Sequence, residues 1–403
     1  MLGWEIARLD DACVFLNGLW KGKKPPFVEA GVIRNTNFAQ DGALDFSDIA
    51  YLDVEVKQIE KRRLQLGDVI LEKSGGGPKQ AVGRVALFNR AEENFSFSNF
   101  TSVIRIRDAK KLDYRYLHKY LHWIYISGVT ESMQSHSTGI RNLNGDAYKN
   151  IEIAIPALKE QQRIVAILDE AFAGIATAKA NAEKNLQNAR ELFDSELSST
   201  FLKLAAEAPQ QVLGSLCRKI TVGHVGSMAS RYKESGVVFL RSQNVRPFEI
   251  DLKNSVFIDE AFDAELSKSR LAPGDLAIVR TGYPGTAAVI PESLPIANCS
   301  DLVIVRPSEQ VCPEYLALFF NSEFGKRLVA GKAVGAAQKH FNVTSAKEVM
   351  LPLPPRNEQA RIVDDCHRLR DEGIRLEHLS RRKLVALDEL KRSLLAKAFA
   401  GEL

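Results

Sequence analysis

The chain has 403 residues, 45% of them hydrophobic and 26% charged, an ordinary globular composition with room for two or three domains. Its net charge of +4 permits nucleic-acid binding without demanding it. Five cysteines without a C-x-x-C pair weigh against a disulfide framework or zinc ribbon and fit a reducing, cytoplasmic setting, and neither a leader-like start nor a run of about 18 apolar residues points to export or a membrane.

Residues 1 to 157 carry short β-branched runs separated by Gly, Asn and Asp. Val69-Ile70-Leu71, Val85-Ala86-Leu87-Phe88 and Val103-Ile104-Arg105-Ile106 read as strands, and Tyr114 to Tyr125 as a helix. A long helix is expected from about Lys159 to Leu204, because Val165, Leu168, Phe172, Ile175, Ala182, Leu186, Phe193 and Leu197 recur at helical spacings. Residues 207 to 355 repeat the order of the first 157. Gly274-Asp275-Leu276 matches Gly67-Asp68-Val69, and Pro313-Glu314-Tyr315-Leu316 matches Tyr114-Arg115-Tyr116-Leu117. A second long helix is expected over Asn357 to Ala400, with Gly373 and a shifted register near Leu384 suggesting a local stutter.

The two helices start alike. Ile155-Pro156-Ala157-Leu158-Lys159-Glu160-Gln161-Gln162-Arg163-Ile164-Val165 answers Leu353-Pro354-Pro355-Arg356-Asn357-Glu358-Gln359-Ala360-Arg361-Ile362-Val363, and the same register pairs Leu186 with Leu384 and Phe201 with Phe399. A repeat this long is a domain with its own helix, so the chain reads as a tandem pair. A single apolar stripe on so long a helix needs a partner, and the economical one is the other copy, running antiparallel. The expected division is two domains, 1–157 and 207–355, each followed by a spacer helix, 158–206 and 356–403.

No catalytic, cofactor or metal constellation emerges. A G-x-x-x-x-G-K-[ST] loop, a G-x-S-x-G elbow and an H-E-x-x-H helix are absent, and the seven histidines form no ligand-spaced set. His118 and His122 are four apart on a helix, but the second copy has Ala317 and Asn321 there. The glycine turn Ser74-Gly75-Gly76-Gly77 follows a strand, and Thr281-Gly282 and Pro284-Gly285 stand at the equivalent point, where backbone amides can meet a phosphate. Around these turns and in the diverged loops lie side chains suited to DNA. They are Lys73, Ser74, Lys79, Gln80 and Arg84 in the first half, and Arg241, Gln243, Asn244, Arg280, Thr281 and Tyr283 in the second. The polar tracts before each long helix add Arg141 and Asn142, and Lys339 and His340.

Taken in order, Leu66-Gly67-Asp68-Val69-Ile70 with Pro273-Gly274-Asp275-Leu276, the two glycine loops, the [IL]-P-x-x-x-E-Q-x-R-I-V tract in both halves and the end Leu394-Leu395-Ala396-Lys397-Ala398-Phe399-Ala400-Gly401-Glu402-Leu403 resemble the DNA-specificity subunit of type I restriction-modification enzymes over nearly the whole chain. The first copy departs from the tract's usual form at Ala157, where the second has Pro355. The resemblance implies an α+β fold with two target-recognition domains, each reading half of a split, asymmetric double-stranded DNA target, held apart by two long helices in an antiparallel coiled coil with pseudo-two-fold symmetry. It also implies a non-catalytic chain docking two methyltransferase subunits and motor-endonuclease subunits. S-adenosylmethionine, ATP and Mg are then expected in those partners and no cofactor in this chain. Glu160, Gln161, Arg163 and Leu186, with Glu358, Gln359, Arg361 and Leu384, are the expected residues of helix pairing and partner docking. The other readings from the residues are a single-chain DNA methyltransferase or nuclease, whose motifs are missing, and a coiled-coil interaction protein with no DNA role.

Overall fold

The computed structural model describes residues 3–19, 22–39, 41–77, 80–91, 94–137, 140–294, 296–332 and 340–403. It divides into two compact units, Met1–Ala182 with Arg382–Leu403, and Glu183–Arg381.

The first unit is built on an antiparallel sheet in the order Cys13–Asn17, Thr101–Ile106, Val69–Glu72, Val85–Leu87. Its strand Val69–Glu72 is buried at all four positions, which is why Val69-Ile70-Leu71 reads as a continuous apolar run and not as an alternation. Successive side chains still point to opposite faces. Val69 and Leu71 join a core with Tyr116, Leu117 and Leu121 of the helix Tyr114–Ile126, while Ile70 joins a second core with Phe88 and Phe97. Beyond that second core lies a sheet centred on Phe27–Ile33, with Ala50–Glu55 antiparallel and Phe95–Phe97 parallel to it. Glu5–Arg8 pairs with Glu152–Ile155 just before the first long helix.

The second unit repeats this wiring. Cys217–Val222, Leu302–Pro307, Leu276–Val279 and Ala287–Val289 form its main sheet, Val237–Leu240 lies between Val256–Ile258 and Ala297–Cys299, and Gln210–Val212 pairs with Met350–Pro352. Leu276 and Ile278 face the core with the helix Pro313–Asn321, Ala277 and Val279 the opposite core. The buried phenols correspond too: Tyr116 Oη donates to Ala154 O at 2.8 Å, and Tyr315 Oη to Pro352 O at 2.7 Å. The expected shared α+β fold is present. Among the described residues what differs is decoration, a three-stranded patch of Gln134–Ser137, Ile140–Leu143 and Ser74–Gly75 in the first unit and a hairpin, Val245–Arg246 with Glu249–Ile250, in the second.

The long helices run Leu158–Glu207 and Arg356–Ala400, 50 and 45 residues. Each unit holds the start of one and the end of the other, antiparallel. In the first unit Arg163 donates to Leu403 O at 2.6 Å and Lys179 meets Asp388 at 2.5 Å, and Ile164, Leu168, Leu395 and Phe399 enter its core. In the second unit Arg190 meets Glu377 at 3.3 Å, and Leu197, Phe201, Ile362 and Cys366 enter the core. Gly373 lies within the continuous second helix, and a Cβ there would approach Ala189 O to 3.3 Å, so the glycine admits a close helix contact.

Candidate nucleic-acid interface

The Gly-Asp repeat sets the start of each central strand. Gly67 and Gly274 have φ of +92° and +83°, conformations that suit glycine, and turn the chain so that the next carboxylate folds back. Asp68 Oδ2 accepts from Gln65 N at 2.8 Å, and Asp275 Oδ2 from Ala272 N at 3.0 Å. Arg105 clamps Asp68, and Arg306 meets Asp275, so these carboxylates are structural. Each strand then runs out into a glycine turn, where Gly75 and Gly76, and Gly282 and Gly285, again take positive φ.

In the first unit most expected DNA-facing side chains at this turn are engaged within the chain. Arg84 grips the buried Glu72 with Nε to Oε2 at 2.8 Å and Nη2 to Oε1 at 3.0 Å, and also donates to Asn35 O at 3.0 Å. Within the chain this guanidinium is a brace, because leaving Glu72 without its partner would strand a buried charge. Ser74 Oγ donates to Asn142 Oδ1 at 2.6 Å, tying the turn to the tract before the long helix, and Arg141 donates to Gln134 Oε1 at 3.4 Å. Lys73 Nζ reaches Asn17 Oδ1 at 3.3 Å, and partial burial lowers the pKa of its ammonium. Gln80 is exposed beside the Arg84 guanidinium. Lys79 lies outside the described residues.

The second unit keeps the same link by other atoms. Thr281 Oγ1 and His340 Nδ1 are 2.9 Å apart, and Phe341 N donates to Arg280 O at 3.1 Å. Arg280 is paired with Asp301 at 2.8 Å. Tyr283, by contrast, is 85% exposed at the tip of the turn. It borders a groove of about 760 Å³ whose wall includes Ser242, Gln243, Arg246, Thr281 and Lys326. Lys339 lies outside the described residues.

Asn244 is 1% exposed, and its amide is spent inside the chain: Oδ1 accepts from Arg241 N at 3.0 Å and Nδ2 donates to Asp251 O at 2.9 Å. Within the chain it is a loop brace. Arg241 donates to Asn254 O at 2.8 Å and lies 5.9 Å from the Tyr232 ring. The first unit has the same turn at Arg34-Asn35-Thr36-Asn37, with Arg34 N donating to Asn37 Oδ1 at 2.9 Å and Asn37 Nδ2 to Asp48 O at 2.9 Å. Sequence reading missed this repeat. The available signal was the offset: Arg34 to Arg241 spans the same 207 residues as Gly67 to Gly274.

Of the residues expected to pair helices or dock partners, Gln161 and Gln359 are buried at 0% and 1% exposure. Gln161 Nε2 donates to Lys111 O and Pro156 O, both at 2.7 Å, and its Oε1 accepts from Asp113 N at 2.8 Å. Gln359 does the same with Gln310 O, Pro354 O and Cys312 N. Each glutamine thus ties the start of a long helix to the segment before a core helix. Glu160 and Arg163 form a bidentate surface pair at 2.7 Å, Glu358 and Arg361 a looser one at 3.7 Å, and Leu186 and Leu384 are half-buried.

Among the described residues no three His, Cys, Asp or Glu side chains gather as a metal site. His118 and His122 stand with ring centroids 6.3 Å apart. Burial, then Lys119, lowers the pKa of His118 to about 4, and burial, then Lys391 and His118, that of His122 to about 3. A folded-state pKa below the unfolded value, ordinarily about 6.5, gives stability that is present above that value and lost as pH falls toward the folded one. The chain should therefore lose stability to urea between about pH 6.5 and 4. His118→Asn/His122→Asn should flatten that slope; an unchanged slope would show that these rings are not its source.

Residues 1–187 match the family model of the type I restriction modification DNA specificity domain. The EcoKI specificity subunit of Escherichia coli K12 is 26% identical across 100% of this chain and 89% of its own length, and the StySPI specificity subunit of Salmonella potsdam 25% identical with the same coverage. The HsdS subunit from Thermoanaerobacter tengcongensis has the same fold, with a TM-score of 0.67 at 18% identity over 100% of this chain and 98% of that one. A chain from a structure of type I R-M complex assembly and conformational transition gives 0.76 at 19% identity over 100% and 99%. With the repeated fold and the duplicated helix starts, the chain carries the type I restriction modification DNA specificity domain over residues 1–187 and is similar along its whole length to the specificity subunits of type I restriction enzymes.

Proposed function

We propose that this chain is a type I specificity subunit that binds double-stranded DNA through its two units, each reading one half of a bipartite, asymmetric target, and that it scaffolds two methyltransferase subunits and motor-endonuclease subunits. The observation that carries this reading is the repetition of one fold with different groups on its turns: Ser74 and Asn142 on one side, Thr281, His340 and the exposed Tyr283 on the other. An identical framework with altered display is what two different half-sites require. The chain itself is proposed to be non-catalytic and free of cofactor, with S-adenosylmethionine, ATP and Mg held by its partners, and to work in the cytoplasm. No helix among the described residues is long and apolar enough to cross a membrane.

The test is co-expression with a methyltransferase subunit of the same system type, followed by mapping of methylated adenines across the host genome. Methylation confined to one split sequence is the expected result. Methyl transfer by the purified chain alone, or methylation without sequence preference by the complex, would defeat the proposal.

A further inference from the structure

The paired Arg-x-x-Asn turns are built to hold their ends still and display their middle. In both, the asparagine amide receives the arginine N–H, the asparagine N–H returns to the arginine carbonyl at 2.9 and 2.8 Å, and the asparagine carbonyl accepts from Asp45 N or Asp251 N, each at 2.8 Å. A second amide bond, to Asp48 O or Asp251 O, anchors the turn to the loop that follows it. The third position is exposed in both turns: Thr36 in the first unit and Gln243 in the second.

Both turns abut the glycine turn of their unit. Asn35 Nδ2 donates to Glu72 Oε1 at 3.2 Å, and a Cβ on Gly75 would come within 2.7 Å of that same nitrogen. In the second unit Ser242 and Gln243 share one groove with Thr281, Gly282 and Tyr283, and Arg246 and Lys326 lie on its wall. The framework residues are the same in the two copies and the displayed residues are not. A glutamine amide offers one donor and one acceptor edge, matching the major-groove edge of adenine; a threonine offers a hydroxyl and a methyl group.

We propose that Gln243 and Thr36 are specificity-determining residues, each reading a base edge in the half-site met by its own unit, with Asn244 and Asn37 as positioning residues. This rests on the DNA-recognition reading above. The experiment selects bound duplexes from a random library with the complex of the full chain and its methyltransferase subunit, for the parent, Gln243→Ala and Thr36→Ala. Both changes are at exposed positions and leave the braces intact. Gln243→Ala should lower discrimination at one position of one half-site by about 5- to 140-fold and leave the other half-site as it was, with Thr36→Ala relaxing a position in that other half. A parent complex that selects no sequence would sink the recognition reading itself. A parent that selects two half-sites, with variants that select them unchanged or lose affinity evenly across all sequences, would overturn this inference alone.

Discussion

Phe399→Ala should destabilise the first unit by about 3–5 kcal/mol, the range for deleting a buried aromatic ring from a core. The ring is 5% exposed and sits against three others, with centroids 5.4 Å from Tyr116, 5.1 Å from Tyr120 and 5.5 Å from Trp123. It lies one residue before the end of the second long helix, so removing it takes away the anchor of that helix end as well as the area it buries. Phe201, its counterpart in the repeat, lies 5.4 Å from Tyr315 and 5.5 Å from Phe319 in the second unit, and Phe201→Ala should cost a similar amount there. Urea denaturation of the full chain, followed by near-ultraviolet circular dichroism, measures both. Losses within about 0.5 kcal/mol, typical of surface positions, would mean that the helix ends are frayed and do not anchor the units. Phe399→Leu, which keeps most of the buried volume, should recover part of the loss and separates packing from general disruption.

The pairing of Phe201 with Phe399 was legible in the sequence because a core ring sits at a fixed helical position and tolerates little change. The same holds for Val69-Ile70-Leu71 and for the helix Tyr114–Ile126, expected within one residue of its end. Their patterns follow directly from burial. Polar residues were harder, since one side chain can serve water, a ligand or the chain's own backbone, and only the fold decides. Gln161 stands in the first turn of a surface-looking helix, where a polar residue normally faces solvent; the loop holding Lys111 and Asp113 folds over it and, together with Pro156 O, takes its whole amide. Asn244 and Arg84 have the residue types of base readers, but loops must satisfy their own amides and buried carboxylates first. The Arg-x-x-Asn repeat escaped notice because only two of four residues coincide, inside segments whose surroundings differ freely. Exposed Gln243 and Tyr283 were accessible to sequence reasoning by chemistry alone, and the groove they border was not, since it is made by parts of the chain far apart in sequence.

The two buried carboxylates of the Gly-Asp repeat should respond unequally to removal, although their motifs look the same. Asp68 is 1% exposed and accepts from Arg105 through both oxygens, Nε to Oδ1 at 2.7 Å and Nη2 to Oδ2 at 2.7 Å, besides the bond from Gln65 N. Asp68→Ala leaves that guanidinium facing no anion and the Gln65 N–H without its acceptor, at a cost of about 3–5 kcal/mol for breaking a buried pair from one side. Among the described residues Asp275 receives Arg306 Nε at 3.2 Å and Ala272 N at 3.0 Å. Burial raises its carboxyl pKa above the ordinary range, with the Ala272 N–H and Arg306 offsetting part of that rise. A raised folded-state value means the folded chain holds this proton more tightly than the unfolded one. The neutral acid's contribution is therefore present at low pH and lost as pH rises from the ordinary carboxylate range through the folded value. Asp275→Asn should remove that falling segment from the stability profile and cost less at neutral pH than Asp68→Asn does. Urea midpoints for the parent and both asparagine variants across that range decide the matter. Equal losses at neutral pH would show that both carboxylates are paired to the same degree and that the longer Arg306 contact carries no energetic difference.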